Sequence, residues 1–255
     1  MAGSVADLLA ARLSGDAAAP LITYYDDATG ERTELSGTTL ANWVAKTANL
    51  LQDGLDLQAG EVVAVTLPPH WQTAAVLLAA WSVGAVVTET VEDADLLVTE
   101  EPRLIELMDA DVRELLCLSL HPLGGRLAFR PGHVTDYAAE VAGYDDHFFA
   151  AEVVDPDALA LRVGGLALTG RSPAAGAGKL GERLGLGPGD RVLIGTEPAS
   201  AGGPLPWLLT PLAVGASVVL CRHADDGVLA RRAETERVTA TLGLPVAGVR
   251  DLGAG

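Results

Sequence analysis

Basic residues are scarce in this chain: 17 lysines and arginines stand against 34 aspartates and glutamates, a formal charge of −17 at neutral pH. Nucleic acid and anionic membrane both call for a basic face, so this balance argues against either as a partner. Cysteine is scarcer still. Cys117 and Cys221 lie far apart, each inside an apolar run ("ELLCLSL", "SVVLCRH"). They read as small core residues of a reduced, cytoplasmic protein and not as a disulfide framework. No CxxC occurs. The five histidines (His70, His121, His133, His147, His223) are scattered without HxxxH or HExxH spacing, so no metal site is expected. No stretch approaches the roughly 18 uncharged apolar residues of a membrane span. The opening "MAGSVADLLAARLSGD" lacks the basic region of a signal peptide and reads as a short amphipathic helix, with Val5, Leu8, Leu9 and Leu13 on one side.

What the chain does have is apolar content with regular punctuation. Hydrophobic residues make up 49 % of its 255 residues, mean hydropathy is +0.29, and Gly and Pro recur throughout. That is the composition of one large globular domain or two small ones, with ample length for a core. Residues 21–35, "LITYYDDATGERTEL", have the order of a β-hairpin. In the following "SGTTLANWVAKTANLLQDG", Leu40, Trp43, Val44, Thr47, Ala48 and Leu51 recur at helical spacing. Ser36 or Thr38 can cap the start of that helix and Gly54 can end it.

The most informative pattern occurs twice. "LDLQAGEVVAVTLPPHWQTAAVLLAAWSVGAVVTET" (55–90) is similar to "LGLGPGDRVLIGTEPASAGGPLPWLLTPLAVGASVVLCR" (184–222). Gly60 aligns with Gly189, and Gly84 with Gly215 after a two-residue slip. Each copy predicts a strand (62–67, 191–195), an apolar helix (71–83, 204–213) and a second strand (85–88, 216–221). A helical crossover between strands makes them parallel, and their unbroken apolar character fits a sheet covered on both faces. "ADLLVTE" (94–100) and "ELLCLSL" (114–120) read as further buried strands separated by a helix. Residues after 224 read as a helix and one more strand. The expected fold is α/β, with two pseudo-repeated βαβ layers and mainly parallel sheets flanked by helices. A first subdomain is expected over 1–154, with the N-terminal helix and hairpin, and a partial second over 155–255. Residues 121–154 are the least regular and read as a surface excursion, with a helix starting at Thr135.

These residues resemble a known family. "LSGTTLANWVAKTANLLQDGLDLQAGEVVAVTLPPHWQTAAVLLAAWSVGAVVTE" is similar to the N-terminal region of the adenylate-forming enzymes, the acyl-CoA synthetase and AMP-binding superfamily. Members carry there a Thr-Tyr-x-x-Leu helix, "GDxVAV", Pro-Asn, and an apolar helix ending in "AGAV". The second copy resembles the segment after that family's phosphate loop, and "VTATLGLPVAGVRDL" its next strand and turn. The resemblance spans about residues 5–250. It implies activation of a carboxylate by ATP, through a Ser/Thr/Gly-rich loop ending in Pro-Lys-Gly that holds the phosphates.

The departures bear most on function. Where that loop belongs, between the strand at 158–163 and "LTGRS" at 168–172, only Gly164-Gly165 stands. Two glycines offer two amides and no cation. After the strand at 191–195 the family carries Pro-x-aromatic-His-x-x-Gly, and here "EPASAGGPL" has Ser200 and Ala201 in those places. The family's Tyr-Gly-x-Thr-Glu motif, ribose-binding Asp and C-terminal catalytic Lys have no matching positions. No catalytic, cofactor-binding or metal residue is therefore assigned, and no cofactor.

Other patterns have structural readings. "PAAGAGKLGE" (173–182) fails the Walker A spacing and reads as a small-residue helix. Asp26-Asp27, Asp145-Asp146 and Asp225-Asp226 read as solvated turn residues. Trp43, Trp71, Trp81 and Trp207 fall at core positions, and Ser172, Ser200 and His223 lack a G-x-S-x-G elbow. The expected protein is a truncated, non-catalytic relative of the adenylate-forming domain. It would bind a protein partner, itself, or an acyl or nucleotide-like small molecule. The alternatives are a half-enzyme completed by a second subunit for acyl-adenylate formation, and a metabolite-binding module.

Overall fold

The computed structural model describes residues 3–122 and 124–253. In chain order the strands are β1 (Pro20–Asp26), β2 (Glu31–Ser36), β3 (Val62–Val65), β4 (Val86–Thr88), β5 (Leu96–Glu100), β6 (Glu114–Leu118), β7 (Val134–Asp136), β8 (Leu159–Val163), β9 (Leu166–Thr169), β10 (Arg191–Gly195), β11 (Ser217–Arg222), β12 (Ala240–Leu242) and β13 (Arg250–Asp251). The helices are α1 (Leu8–Leu13), α2 (Gly37–Asn49), α3 (Trp71–Val83), α4 (Leu104–Leu107), α5 (Tyr137–Glu140), α6 (Arg171–Arg183), α7 (Thr196–Ser200), α8 (Thr210–Val214) and α9 (Asp226–Thr235).

Both predicted βαβ units form with parallel strands. β3 pairs with β4 in the register Val62↔Val86, and β10 with β11 in the register Val192↔Val218. α3 has no polar face: Ala74, Ala75, Val76, Ala79 and Ala80 are all fully buried, and Trp81 Nε1 donates to Ala160 O at 2.9 Å. Such a helix is stable only when covered all round. In the second copy the crossover is a π-helical turn, Leu205–Leu209, running into α8. Gly84 and Gly215 each sit at positive φ (+90°, +77°) between helix and returning strand, where a side chain would be strained.

The two sheets repeat each other over six strands, the first carrying β7 as an extra edge strand. One runs β7-β6-β5-β3-β4-β8-β9 and the other β13-β12-β10-β11-β1-β2. Each is parallel apart from an antiparallel hairpin, β8–β9 or β1–β2, at one edge. The repeat is thus longer than the sequence shows: hairpin, helix (α2 or α6), then βαβ.

The hairpins are exchanged. β1–β2 precedes the first copy but pairs with β11 of the second, while β8–β9 precedes the second copy but pairs with β4 of the first. For this reason the compact units do not divide the chain at 154/155. One comprises residues 1–40, 68–71 and 172–255, and the other 41–67 and 72–171.

The core of the second of these units joins Val62, Ala64, Leu97, Leu115 and Cys117; that of the first includes Leu193, Val219, Cys221 and Leu229. The expected surface excursion at 121–154, of which Leu123 lies outside the described residues, contains an edge strand. β7 pairs in parallel with β6. The helix starts at Tyr137 and not at Thr135, because Asp136 caps it, accepting from the amides of Ala138 and Ala139. Tyr137 is fully buried, its hydroxyl 2.8 Å from Thr47 Oγ1 on α2. At the start of the chain Val5, Leu8 and Leu9 are buried as expected, while Leu13 is half-buried. Among the described residues no helix is long and apolar enough to cross a membrane.

Candidate functional site

Gly164 and Gly165 are the whole turn of the β8–β9 hairpin, since Val163 pairs directly with Leu166. Both have positive φ (+54°, +78°), the signature of the tight type I′ hairpin turn. Both are exposed, and a side chain added at either would meet nothing within 4 Å. The hairpin needs no more than this turn to close. It carries neither hydroxyl nor cation at its tip; Val163 and Leu166 flank it, and Arg162 lies one residue further along β8.

The second segment in question follows β10. α7 covers Thr196–Ser200, and Ser200 Oγ donates to Thr196 O at 2.8 Å, which ties that hydroxyl into the helix. Gly202 lies against the Pro206 ring, and the π-turn begins just after Pro204. This backbone is built by glycine and proline and presents no aromatic or imidazole side chain.

Polar chemistry collects instead at the carboxyl ends of β1 and β11. His223 Nδ1 lies 2.8 Å from Asp26 Oδ1, and the same oxygen accepts from the amide of Ala28 at 2.9 Å. His223 holds a left-handed backbone (φ +48°), uncommon for a non-glycine residue. Tyr24 lies beside this pair. Burial, then the Asp26 carboxylate, pushes its hydroxyl well above the usual phenol range, with Arg222 opposing. His70 is fully buried, edge-on to the Tyr24 ring with centroids 4.3 Å apart. Burial, with Arg222 adding to it, lowers His70 to about 3, so it is neutral at physiological pH. No serine, threonine or cysteine among the described residues hydrogen-bonds to His223, so a nucleophilic triad is not assembled there.

On the opposite face of this sheet, Glu236 accepts from Tyr25 Oη (2.6 Å), Arg191 Nη2 (2.6 Å) and Arg32 Nη2 (2.9 Å). Burial would raise its carboxyl, but these three donors outweigh it and hold the group below the usual range. The Arg232 guanidinium stands 4.0 Å over the Tyr25 ring and pairs with Asp27. This network clamps α9 to the β1–β2 hairpin; every strong donor in it already has an acceptor.

Residues 173–182 lie within α6, as expected of a small-residue helix. Asp26 and Asp27 are not solvated: Asp26 is 7 % exposed and faces His223, and Asp27 holds Arg232. Asp225 caps α9 through the amide of Gly227. Asp145 and Asp146 are exposed and, with His147, bring three potential ligand atoms within 4.8 Å, though no observation points to a metal there. Cys117 and Cys221 are buried and unpaired; burial pushes their thiols up to about 12 and about 11, which leaves both inert. Trp71, Trp81 and Trp207 are buried, and Trp43 is half-buried, stacked on Tyr137. The Asp26–His223 pair had no sequence signal, its members being 197 residues apart.

No family model matches the chain. A curated relative from Mycobacterium tuberculosis (strain ATCC 25618 / H37Rv), described as "TIGR03089 family protein", is 41 % identical over 251 residues, 95 % of this chain and 98 % of the relative. Among solved structures, the chain is similar to an acyl-CoA synthetase from Brucella canis (TM-score 0.74, 19 % identity) and to an anthranilate CoA ligase in complex with anthranoyl-AMP (0.75, 16 %). A similar match is an ATP-bound RpMatB-BxBclM chimera (0.72, 17 %). These cover 94 %, 94 % and 95 % of this chain but 47 %, 49 % and 49 % of their own, so the chain spans about half the length of these enzymes. The fold is therefore that of the adenylate-forming enzymes, as the sequence resemblance implied.

Proposed function

The chain belongs to the TIGR03089 family, and we propose that it is a non-catalytic binding protein built on the adenylate-forming fold. One observation carries this reading. At the place where the family resemblance calls for a phosphate-holding loop, β8 turns directly into β9 through Gly164-Gly165. A triphosphate needs converging amides, hydroxyls and a cation, and a two-residue turn supplies two amides at most. The segment after β10 supports the same reading, because Ser200 stands where a ring would line the cleft and its hydroxyl donates to its own helix. A cytoplasmic location belongs to this proposal, supported by two buried, unpaired cysteines. A small acyl or nucleotide-like ligand at the carboxyl ends of β1 and β11, beside Asp26 and His223, is the second reading, and the uncommon backbone of His223 favours it. The direct test is ATP–pyrophosphate exchange over a panel of aliphatic and aromatic carboxylic acids. No exchange above buffer is expected; sustained exchange with any acid would sink the proposal.

A further inference from the structure

Residues 144–154 form a strap of irregular chain whose side chains are nearly all exposed, yet its backbone is held with some care. Three side chains at helical spacing on α2 and the turn after it grip it in sequence. Lys46 Nζ donates to Tyr144 O. Asn49 Nδ2 donates to both Asp145 O and His147 O at 2.9 Å. Gln52 closes the series: its Nε2 reaches Phe149 O at 3.4 Å, and its Oε1 accepts from the Ala151 amide at 2.9 Å. Each end is anchored by packing. The Tyr144 ring lies where a Cβ on Gly54 would be, and Val154 lies against Gly84.

The strap atoms held from α2 are the carbonyls of Tyr144, Asp145, His147 and Phe149 and the amide of Ala151, alternating from His147 onward. Over 147–150, the stretch between an Asx turn (His147 amide to Asp145 Oδ1, 2.9 Å) and the bend at Ala151, this alternation is that of an extended strand, in which both peptide groups of one residue point the same way and those of the next point opposite. No residue of the strap has positive φ. The groups of Phe148 and Ala150 therefore point away from α2, and among the described residues neither enters a hydrogen bond. Lys46, Asn49 and Gln52 stand in for a neighbouring strand on one edge and leave the other edge open. Beside that edge Phe149 is 84 % and Val153 97 % exposed.

Charge selects the occupant. The strap carries three exposed carboxylates, Asp145, Asp146 and Glu152, and no lysine or arginine; of the acids flanking it, Asp136 is buried and Asp157 is paired with Arg171. A second copy would set this acidity against itself, whereas a basic segment would neutralise it. We propose that the strap is a docking strand: a basic extended segment of a partner protein, with apolar residues at alternate positions, adds to the open edge at Phe148 and Ala150. Two added residues would give four main-chain hydrogen bonds, with the apolar positions covering Phe149 and Val153. This deepens the binding reading above by naming a partner chemistry. Its failure is separable, because pyrophosphate exchange tests that reading and a peptide tests this one.

The probe is a short fluorescent peptide alternating lysine and valine, measured by anisotropy on the full chain, with amide exchange followed residue by residue. A lysine–serine peptide of equal charge and a glutamate–valine peptide serve as controls. Ala150→Pro removes an amide that bonds to nothing in the fold, so the variant folds but cannot pair. Asn49→Ala with Gln52→Ala releases the strap from α2. The expected result is saturable binding of the lysine–valine peptide with slowed exchange at Phe148 and Ala150. Both variants and the lysine–serine control should weaken binding about tenfold or more. The proposal is overturned by equal binding to Ala150→Pro, by protection elsewhere on the chain, or by no binding up to about 1 mM peptide. Protection of the strap by raised protein concentration alone would assign the edge to a second copy and overturn the basic partner.

Discussion

At the scale of single residues, Gly164 and Gly165 separate backbone from side-chain effects, because nothing surrounds either position. A substitution there changes only the strain of positive φ. Gly165→Val should cost about 1–2 kcal/mol, the penalty of a branched L-residue in the left-handed region. Gly164→Asn should be neutral to within about 0.5 kcal/mol, since Asn-Gly is the favoured type I′ pair. Urea unfolding of the two variants checks both. Glu236 is the opposite case, a group defined by its contacts. Its Gln variant weakens the charge-assisted bonds from three side chains at a site only 6 % exposed, so a loss of about 3 kcal/mol is expected. The pH dependence carries the same signature. Its folded carboxyl is held low, so the unfolded chain takes up the proton first as pH falls. The stabilisation is full above the ordinary glutamate value of about 4.3 and is lost as pH falls through the lower folded value. Unfolding curves between neutral and acid pH should show a shallower fall for Glu236→Gln than for the natural chain.

At the scale of elements, α6 contains a test of packing against propensity. Gly176 and Gly178 face open space, and alanine at either should stabilise by up to about 1 kcal/mol through helix propensity alone. Gly181 sits on α8, where a Cβ would overlap Val214 Cγ1, so Gly181→Ala should destabilise by about 1–3 kcal/mol despite the same gain in propensity. Thermal melts of the three single variants give the two signs. The elements themselves were largely legible because their signals are local. The alternation of apolar strand, apolar helix and glycine marks β3–α3–β4 and β10–α8–β11, and Ser36 caps α2 by accepting from the Thr39 amide. What was not legible depends on pairing at a distance. Val134–Asp136 is too short to read as a strand and exists because β6 offers an edge. The exchange of hairpins between the two sheets follows from β1 joining β11 and β8 joining β4, which no local pattern encodes. The same holds for Asp26–His223 and for the clamp of Lys46, Asn49 and Gln52 on the strap. The Gly164-Gly165 turn, by contrast, was readable because its signal is local: two glycines between two short apolar runs.

At the scale of the whole molecule, the chain covers about half of an acyl-CoA synthetase in fold, and its own two sheets match each other in order over six strands. A net charge of −17 opposes binding of a triphosphate unless a cationic site gathers it locally, and the β8–β9 turn contains no such site. On the proposed function, this fold does not hold a nucleotide's phosphates. Isothermal titration of the purified chain with Mg-ATP, and separately with AMP, tests it most directly. No heat of binding is expected from Mg-ATP, whether or not AMP binds. Micromolar Mg-ATP affinity would contradict it, for some element other than the Gly164-Gly165 turn would then be holding the phosphates.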